Sequence, residues 1–504
     1  MQQALPPIPR NRYRLHTLTI IGGLLLVAAL GALVTGCDGS GAQGTAPDRP
    51  GRPHEGAQLT FNCSDPAFAA AVEPMIRSWE VRTGAAVTLT RDPMTAADAT
   101  DLAVLPANRL GEWAEPGHLA PLPLKWRGLV SEMLPPYAER LAAWGDQTQA
   151  IPLTGDGVLL VYRADRFADP AAAAEFAKRG KGPLAAPATW DQYADVAAFF
   201  AARDKGPSVP PLPADPTALF DLFSRVASSF DRPTLSDKDL SERVKDEELL
   251  AFHFEIRTGK PRLLARGFAE SARWLAGLAA AGAVPPGASD DPVAALTAGK
   301  AVLAIVSLDQ LAKLPRENGT VPARFGIAPV PGAQRPLEPG APPAEKQVVN
   351  YVPYFAGGRL GVVRARCPRP ELAFELLAEL AGPARTAELI STPGLGAGPL
   401  RPADLSPDQF PLWLGYGFDP ARSQALQDTL RGYLAEAVKN PTLGLRGPDR
   451  EALTRDAAAA LRKLGSGAKP ADVLAEAQTA WNALDAKAAG APLVRWRKRA
   501  AGLN

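Results

Sequence analysis

Histidine and cysteine are scarce in this chain, at four and three among 504 residues. The histidines, His16, His54, His118 and His253, are scattered. There is no H-E-x-x-H and no C-x-x-C, so the usual zinc spacings are missing. A metal site or a Ser-His-Asp triad would have to be built on His118 or His253. The nucleophile elbow G-x-S-x-G is absent as well. Gly299-Lys300 lacks the upstream glycine and the following Ser/Thr of a phosphate loop. Gly394-Leu395-Gly396-Ala397-Gly398 is a glycine cluster that a hinge or turn explains, not a strand–helix fingerprint. Excess charge of one sign is also missing. Setting aside the three arginines of residues 1–37 leaves 52 basic against 53 acidic residues, a net of −1. A chain so balanced is not built for nucleic acid. The short run Arg495, Arg497, Lys498, Arg499 is a local exception and reads as a solvated tail. No cofactor and no metal is expected.

What is present starts at the N-terminus. Arg10, Arg12 and Arg14 precede an apolar stretch from Thr17 to Val34, which closes on Thr35-Gly36-Cys37. Positive start, apolar run and small residues are the order of an export signal over 1–37. Val34-Thr35-Gly36-Cys37 resembles the lipobox of bacterial lipoproteins. That resemblance implies cleavage before Cys37 and a diacylglycerol on its thiol. A plain transmembrane anchor is the other reading, since a span needs about 20 apolar residues. From Asp38 the chain is rich in Gly, Pro and polar residues, and 38–56 reads as a flexible tether. Two cysteines are then left, Cys63 and Cys367. An oxidising compartment permits a bridge between them, but two lone cysteines far apart in sequence read rather as buried small apolar residues.

The remaining length suggests two or more lobes. Leu59 to Cys63 is a strand pattern. Ser64-Asp65-Pro66 supplies a helix cap with proline in the first turn, and Phe68, Val72, Met75, Ile76 and Trp79 follow at helical spacing up to Gly84. Val87 to Thr90 and Asp101 to Leu105 are further strands. Later strands are expected at Val158–Tyr162, Ala301–Val306, Phe325–Val330 and Leu360–Val363. Helices are expected at Phe268–Ala281, Glu371–Leu380, Leu426–Val438 and Ala471–Leu484. The alternation predicts an α/β fold with a largely parallel sheet.

Several segments, in order, resemble bacterial extracellular solute-binding proteins of the maltose-binding type that serve sugar ABC importers. They are Gly117-His118-Leu119-Ala120-Pro121-Leu122, Tyr162-Arg163-Ala164-Asp165-Arg166-Phe167, Pro187-Ala188-Thr189-Trp190-Asp191, Ala294 to Leu303 and Phe325 to Gly332. Arg163 stands where the family has Asn, and residues 204–262 match poorly and read as an insertion. The resemblance implies a two-lobed periplasmic-binding-protein-like fold with discontinuous lobes joined by hinge strands. Lobe I is expected over 57–152 plus 359–398, and lobe II over 153–358 plus 399–504. It implies a monomer held by lipid at the periplasm or cell surface. Its partners are a sugar-like small molecule, bound in the interlobe cleft, and a membrane permease.

A pyranose offers an apolar C–H face and a rim of hydroxyls, so aromatic rings and carboxylates are the side chains to seek. Tyr351, Tyr354, Trp413 and Tyr416 are the aromatic candidates. Ser64, Asp65, Asn108 and Ser307 follow strands, where ligands of open α/β sheets bind. Asp156 lies between two glycines near the expected hinge. For Ser64, Asp65 and Ser307 helix capping is the competing role. Two other classes stay open on residue types alone. One is a secreted carbohydrate-active enzyme using paired carboxylates. The other is an envelope lipoprotein that keeps the fold for interaction or sensing.

Overall fold

A computed structural model describes residues 52–93, 95, 100–232, 235, 237–242, 247–334, 349–434, 440–487 and 491–503. The export signal, Cys37 and most of the tether lie outside the described residues. Strand β1 (Gln58–Asn62) leads into helix α1 (Pro66–Thr83) and strand β2 (Ala86–Thr90). Asp65 caps α1 by accepting from the backbone N–H of Ala67 and Phe68. Gly84 ends it in the left-handed conformation at φ 80°, which glycine adopts without a Cβ clash. The helix buries Phe68, Val72, Met75, Ile76 and Trp79, the stripe that its spacing predicts.

Strands β3 (Leu102–Pro106) and β4 (Ala150–Thr154) complete the first part of a sheet, and β5 (Val158–Arg163) starts another. Helix α2 (Trp190–Asp204) opens on a capping box between Thr189 and Gln192. Helix α3 (Pro216–Asp231) is capped by Asp215, and α4 (Arg266–Ala280) packs along it. Then come β6 (Leu303–Ser307), the short α5 (Leu308–Leu311), β7 (Phe325–Ala328), β8 (Tyr354–Phe355) and β9 (Arg359–Val363). The C-terminal part holds helices α6 (Arg450–Leu461), α7 (Pro470–Lys487) and α8 (Ala491–Ala500).

The first sheet has the order β2-β1-β3-β9-β4, and the second β6-β5-β7. The expectation of largely parallel pairing is corrected here. Strand β1 is parallel to β2 and β3, but β9 is antiparallel to both β3 and β4, and the second sheet is wholly antiparallel. Strand β9 enters from the short strand β8 through Ala356-Gly357-Gly358, without a helical crossover, and runs in the opposite sense.

Glycines line that crossing. Thr154-Gly155-Asp156-Gly157 carries the chain from β4 to β5, and Ala356-Gly357-Gly358 carries it from β8 to β9. A third passage lies alongside, because Gly155 and Gly398 exchange backbone hydrogen bonds of 3.2 and 3.1 Å. A Cβ on Gly155 would fall 1.8 Å from the carbonyl of Pro399, and one on Gly357 would fall 1.9 Å from Asp156 Oδ2. Three chain segments meet there at a distance only hydrogen side chains permit.

One apolar cluster runs from the first sheet, with Phe61, Leu105, Ile151 and Val362, into the second, with Leu159, Val161, Val306 and Phe325, and a smaller one with Leu160, Phe199, Phe200 and Leu303 packs on the second sheet alone. A third cluster, with Phe220, Phe268, Leu453 and Trp481, joins α3 and α4 to the C-terminal helices. Cys63 and Cys367 are free thiols, both buried, and burial pushes each pKa up to about 11.

The C-terminal basic run is also corrected: it is docked, not a solvated tail. Arg497 makes a two-pronged pair with Asp449, at 2.9 and 2.6 Å, and lies 3.6 Å over the Phe254 ring. Arg495 and Arg499 share the carboxylate of Glu115, whose side chain is nearly buried. The apolar side of α8 hides these pairings from a reading of charge alone. No helix among the described residues is long and apolar enough to cross a membrane.

Candidate functional site

A cavity of about 530 Å³ opens between the two sheets, next to the glycine crossings. One wall comes from the ends of the first sheet's strands: Ser64 and Asp65 after β1, Asn108 after β3 and Arg359 at the start of β9. The opposite wall holds Ser307 and Asp309 after β6, with Asp221 and Arg225 of α3. Asp156 sits at the crossing itself. This is where strand ends in open α/β sheets place ligands.

The polar side chains are arranged by one another. Asp65 uses one carboxylate oxygen for the α1 cap and takes a 2.8 Å bond from Arg359 Nε on the other. Burial pushes its pKa up, but Arg359 and the α1 backbone outweigh burial and hold it below the usual value. Asp156 differs. Burial, reinforced by the nearby charge of Asp309, raises its carboxyl to about 6, despite Arg225 and Arg359. The Tyr137 hydroxyl accepts from the Asp156 backbone N–H at 2.6 Å, which fixes this residue in the crossing. Asp221 is also pushed by burial to about 6, although Tyr354 donates its hydroxyl to Asp221 Oδ1 at 2.7 Å. Arg225, one helical turn on from Asp221, donates to the Tyr354 carbonyl at 3.0 Å and lies over the same ring. Carboxylates and the guanidinium groups of Arg225 and Arg359 thus border the cavity in fixed positions, the polar equipment for a ligand rich in hydroxyls.

Of the residues singled out in the sequence, Ser64, Asp65, Asn108, Asp156 and Ser307 line this cavity. Ser307 keeps its helix role as well, since its hydroxyl accepts from the Gln310 backbone. The four aromatics are placed elsewhere. Trp413 and Tyr416 stack on each other at 5.8 Å, and their polar tips donate to the backbone carbonyls of Asp404 and Ala397. With 0% and 2% of their surface exposed they are core, not wall. Tyr354 is 3% exposed and stands behind Asp221, and Tyr351 packs against a small cluster around Trp190. An aromatic beside glycine reads the same in sequence whether it faces a cleft or a core.

The rings that do reach the cavity are Trp274 on α4 and Tyr193 on α2, whose centroids lie 5.5 Å apart. Trp274 is half-buried, and its indole N–H donates to the Trp190 carbonyl at 3.0 Å. The neighbouring surface is apolar: Val209, Pro210, Pro211, Leu212, Leu222 and Ile305. Most of that wall belongs to 204–262, the stretch least like the family. Trp274, Asp221 and Arg225 were not singled out in sequence. Trp274 and Asp221 with Arg225 lie on amphipathic helices, where a cavity-facing residue has the spacing of a core residue. Among the described residues no group of three or more His, Cys, Asp and Glu could hold a metal ion.

Two lobes around a walled cavity, with strands crossing between them, define a ligand-capturing protein. The profile of the bacterial extracellular solute-binding protein family matches residues 83–410, and the chain belongs to that family. Its members bind solutes and are not enzymes, and the family's place of work is outside the cytoplasm. No curated protein matches the chain by sequence. Among solved structures it is similar to the sugar-binding protein MalE of Xanthomonas citri, with a TM-score of 0.61 at 16% identity, covering 86% of this chain and 98% of that one. It is similar as well to the cyclic alpha-maltosyl-1,6-maltose binding protein of Arthrobacter globiformis, with a TM-score of 0.60 at 15% identity over 85% and 98%. The galacto-N-biose/lacto-N-biose I-binding protein of Bifidobacterium longum gives 0.59 at 15% identity over 85% and 96%. These likenesses establish the two-lobed α/β fold.

Proposed function

We propose that this protein is a lipid-anchored receptor that captures a sugar in its interlobe cavity and presents it to an ABC permease. The observation that carries the reading is the cavity lining: the Trp274 ring and an aliphatic surface beside Asp221 and Arg225 on one wall, Ser64 and Asn108 on the other, and Asp156 at the crossing. An indole covers the C–H face of a pyranose, and the carboxylates accept its hydroxyls. Asp65 and Ser307 border the cavity while capping helices. The bound sugar favours the form in which both walls touch it, so ligand shifts the hinge equilibrium toward closure. The permease recognises that closed form. The solved structures it resembles were named for maltose-type and lacto-N-biose ligands, which makes gluco- and galacto-configured oligosaccharides the first to try.

The anchor rests on the sequence of residues 1–37. Cys37 carries the lipid, 38–56 is the tether, and the protein is a monomer at the outer side of a membrane. Lobe I comprises 57–152 with 359–398, and lobe II the intervening stretch with 399–504. The test is a thermal-shift screen against a sugar library, followed by calorimetry. A ligand that binds only the folded state raises the melting temperature by mass action. A library that leaves it unchanged at millimolar concentration overturns the sugar reading.

A further inference from the structure

One cavity-lining side chain touches both walls. Arg359 is the first residue of β9, directly after Gly357-Gly358. Its Nε donates to Asp65 Oδ2 at 2.8 Å, its Nη1 reaches Thr154 Oγ1 at 3.4 Å, and its guanidinium lies 5.3 Å over the Phe68 ring. All three belong to the first sheet or to α1 packed on it. The fourth contact does not: Nη2 pairs at 3.1 Å with Asp309 Oδ1, on the short helix that follows β6 of the second sheet.

We propose that Arg359 is a positioning residue that ties the lobes together in the resting protein and sets the fraction of molecules already closed before ligand arrives. Three contacts fix the guanidinium to the first sheet and α1, so it keeps its place there when the lobes part. The contact to Asp309 is the one that spans the two sheets, at a turn whose backbone packs against Gly396 beside the third chain passage. Arg359 is 14% exposed, while the Asp309 side chain is 51% exposed. A pair with one partner in water contributes weakly and is screened by salt. Weakness suits the task. A strong tie would close the cleft without ligand, whereas a weak one moves the equilibrium by a small factor and leaves the decision to the ligand. The turn that presents Asp309 is itself rigid, held by the reciprocal Ser307–Gln310 capping bonds. The same guanidinium orients Asp65 and Asp309 along the cavity edge, so it also shapes the acceptors a sugar would meet. That last part rests on the sugar reading above; the tie does not.

The experiment needs no ligand. The full lipidated chain in detergent carries donor and acceptor dyes on cysteines placed at Ser131 and Lys178, both exposed; Cys63 and Cys367 are buried. Energy transfer then reports the open and closed populations. Arg359→Gln and Asp309→Asn should each shift the population toward open by about two- to fivefold, the size expected of a half-exposed pair. The double variant should go no further than either single one. Arg359→Lys should restore part of the closed fraction, and 1 M salt should open the unsubstituted protein while leaving the variants unmoved. Asp309→Asn is the decisive variant, because its half-exposed side chain carries little of the fold. Unchanged populations in Asp309→Asn, or additive effects in the double variant, would overturn the tie. Thr189→Ala is the control for a purely structural role: it should lower the melting temperature through the α2 cap without opening the cleft. Loss of sugar binding alone bears on the function proposed above and leaves the populations to decide this one.

Discussion

At the scale of single residues, the cavity separates groups that carry charge from groups that burial discourages from carrying it. Asp156 and Asp221 titrate near pH 6, against about 3.8 in an unfolded chain. Between those values the folded protein holds more protons than the unfolded one, so these two groups make stability fall as pH rises through the window from about 4 to 6. Asp221→Asn should flatten that part of the curve, and melting temperatures recorded from pH 4 to pH 7 for both proteins will test it: an unchanged difference across the window refutes the assignment. For binding, Trp274→Ala should weaken sugar affinity by roughly a decade. The ring contributes ~0.5–1.5 kcal/mol beyond its buried area, and ~1.4 kcal/mol is a factor of ten. Calorimetry with the sugar found in the screen measures it, and an affinity within twofold of the unsubstituted protein removes Trp274 from the site. The polar half of this cavity was legible in the sequence, because Ser64, Asp65, Asn108 and Ser307 follow strands and Asp156 lies between glycines. The aromatic half was not. Trp413 and Tyr416 satisfy their polar atoms on carbonyls far along the chain, and only tertiary structure shows that.

At the scale of elements, local signals were strong where the cap and the apolar stripe agree. Helix α1 has Asp65, Pro66, a five-residue stripe and Gly84, and it begins and ends where they say. Sheet direction had no such signal, since antiparallel entry of β9 depends on where the chain has been, not on its own residues. The C-terminal helix α8 was misread for a related reason. Its arginines find Glu115, Asp449 and Asp485, none of them a sequence neighbour. Arg497 is 4% exposed between two carboxylates, so Arg497→Ala leaves buried negative charge unpaired. The expected loss is ~3–5 kcal/mol of unfolding free energy, read from urea denaturation. Arg497→Lys should recover only part of it, because one ammonium cannot reproduce the two-pronged pair with Asp449. A loss below ~1 kcal/mol would show that α8 is loosely held after all.

At the scale of the whole molecule, the reading joins an anchored receptor to a moving hinge. Cys37→Ser should abolish lipid attachment, so that the protein no longer partitions into detergent; a variant still processed before residue 37 and still in the detergent phase would refute the anchor. Ligand-induced closure should shrink the radius of gyration in solution scattering. The two-lobed plan was legible from the order of motifs, whereas the cavity's apolar wall comes mostly from 204–262, the stretch that resembles the family least. The position of β9 has one more consequence. It lies between β3 and β4 in the sheet, yet it is made some 200 residues after them, and contacts so distant in sequence are slow to form. A chain emerging through a translocation channel therefore cannot finish its first lobe until most of the second has followed. Until then its first sheet stays incomplete, so the same topology that builds the hinge also delays stable folding.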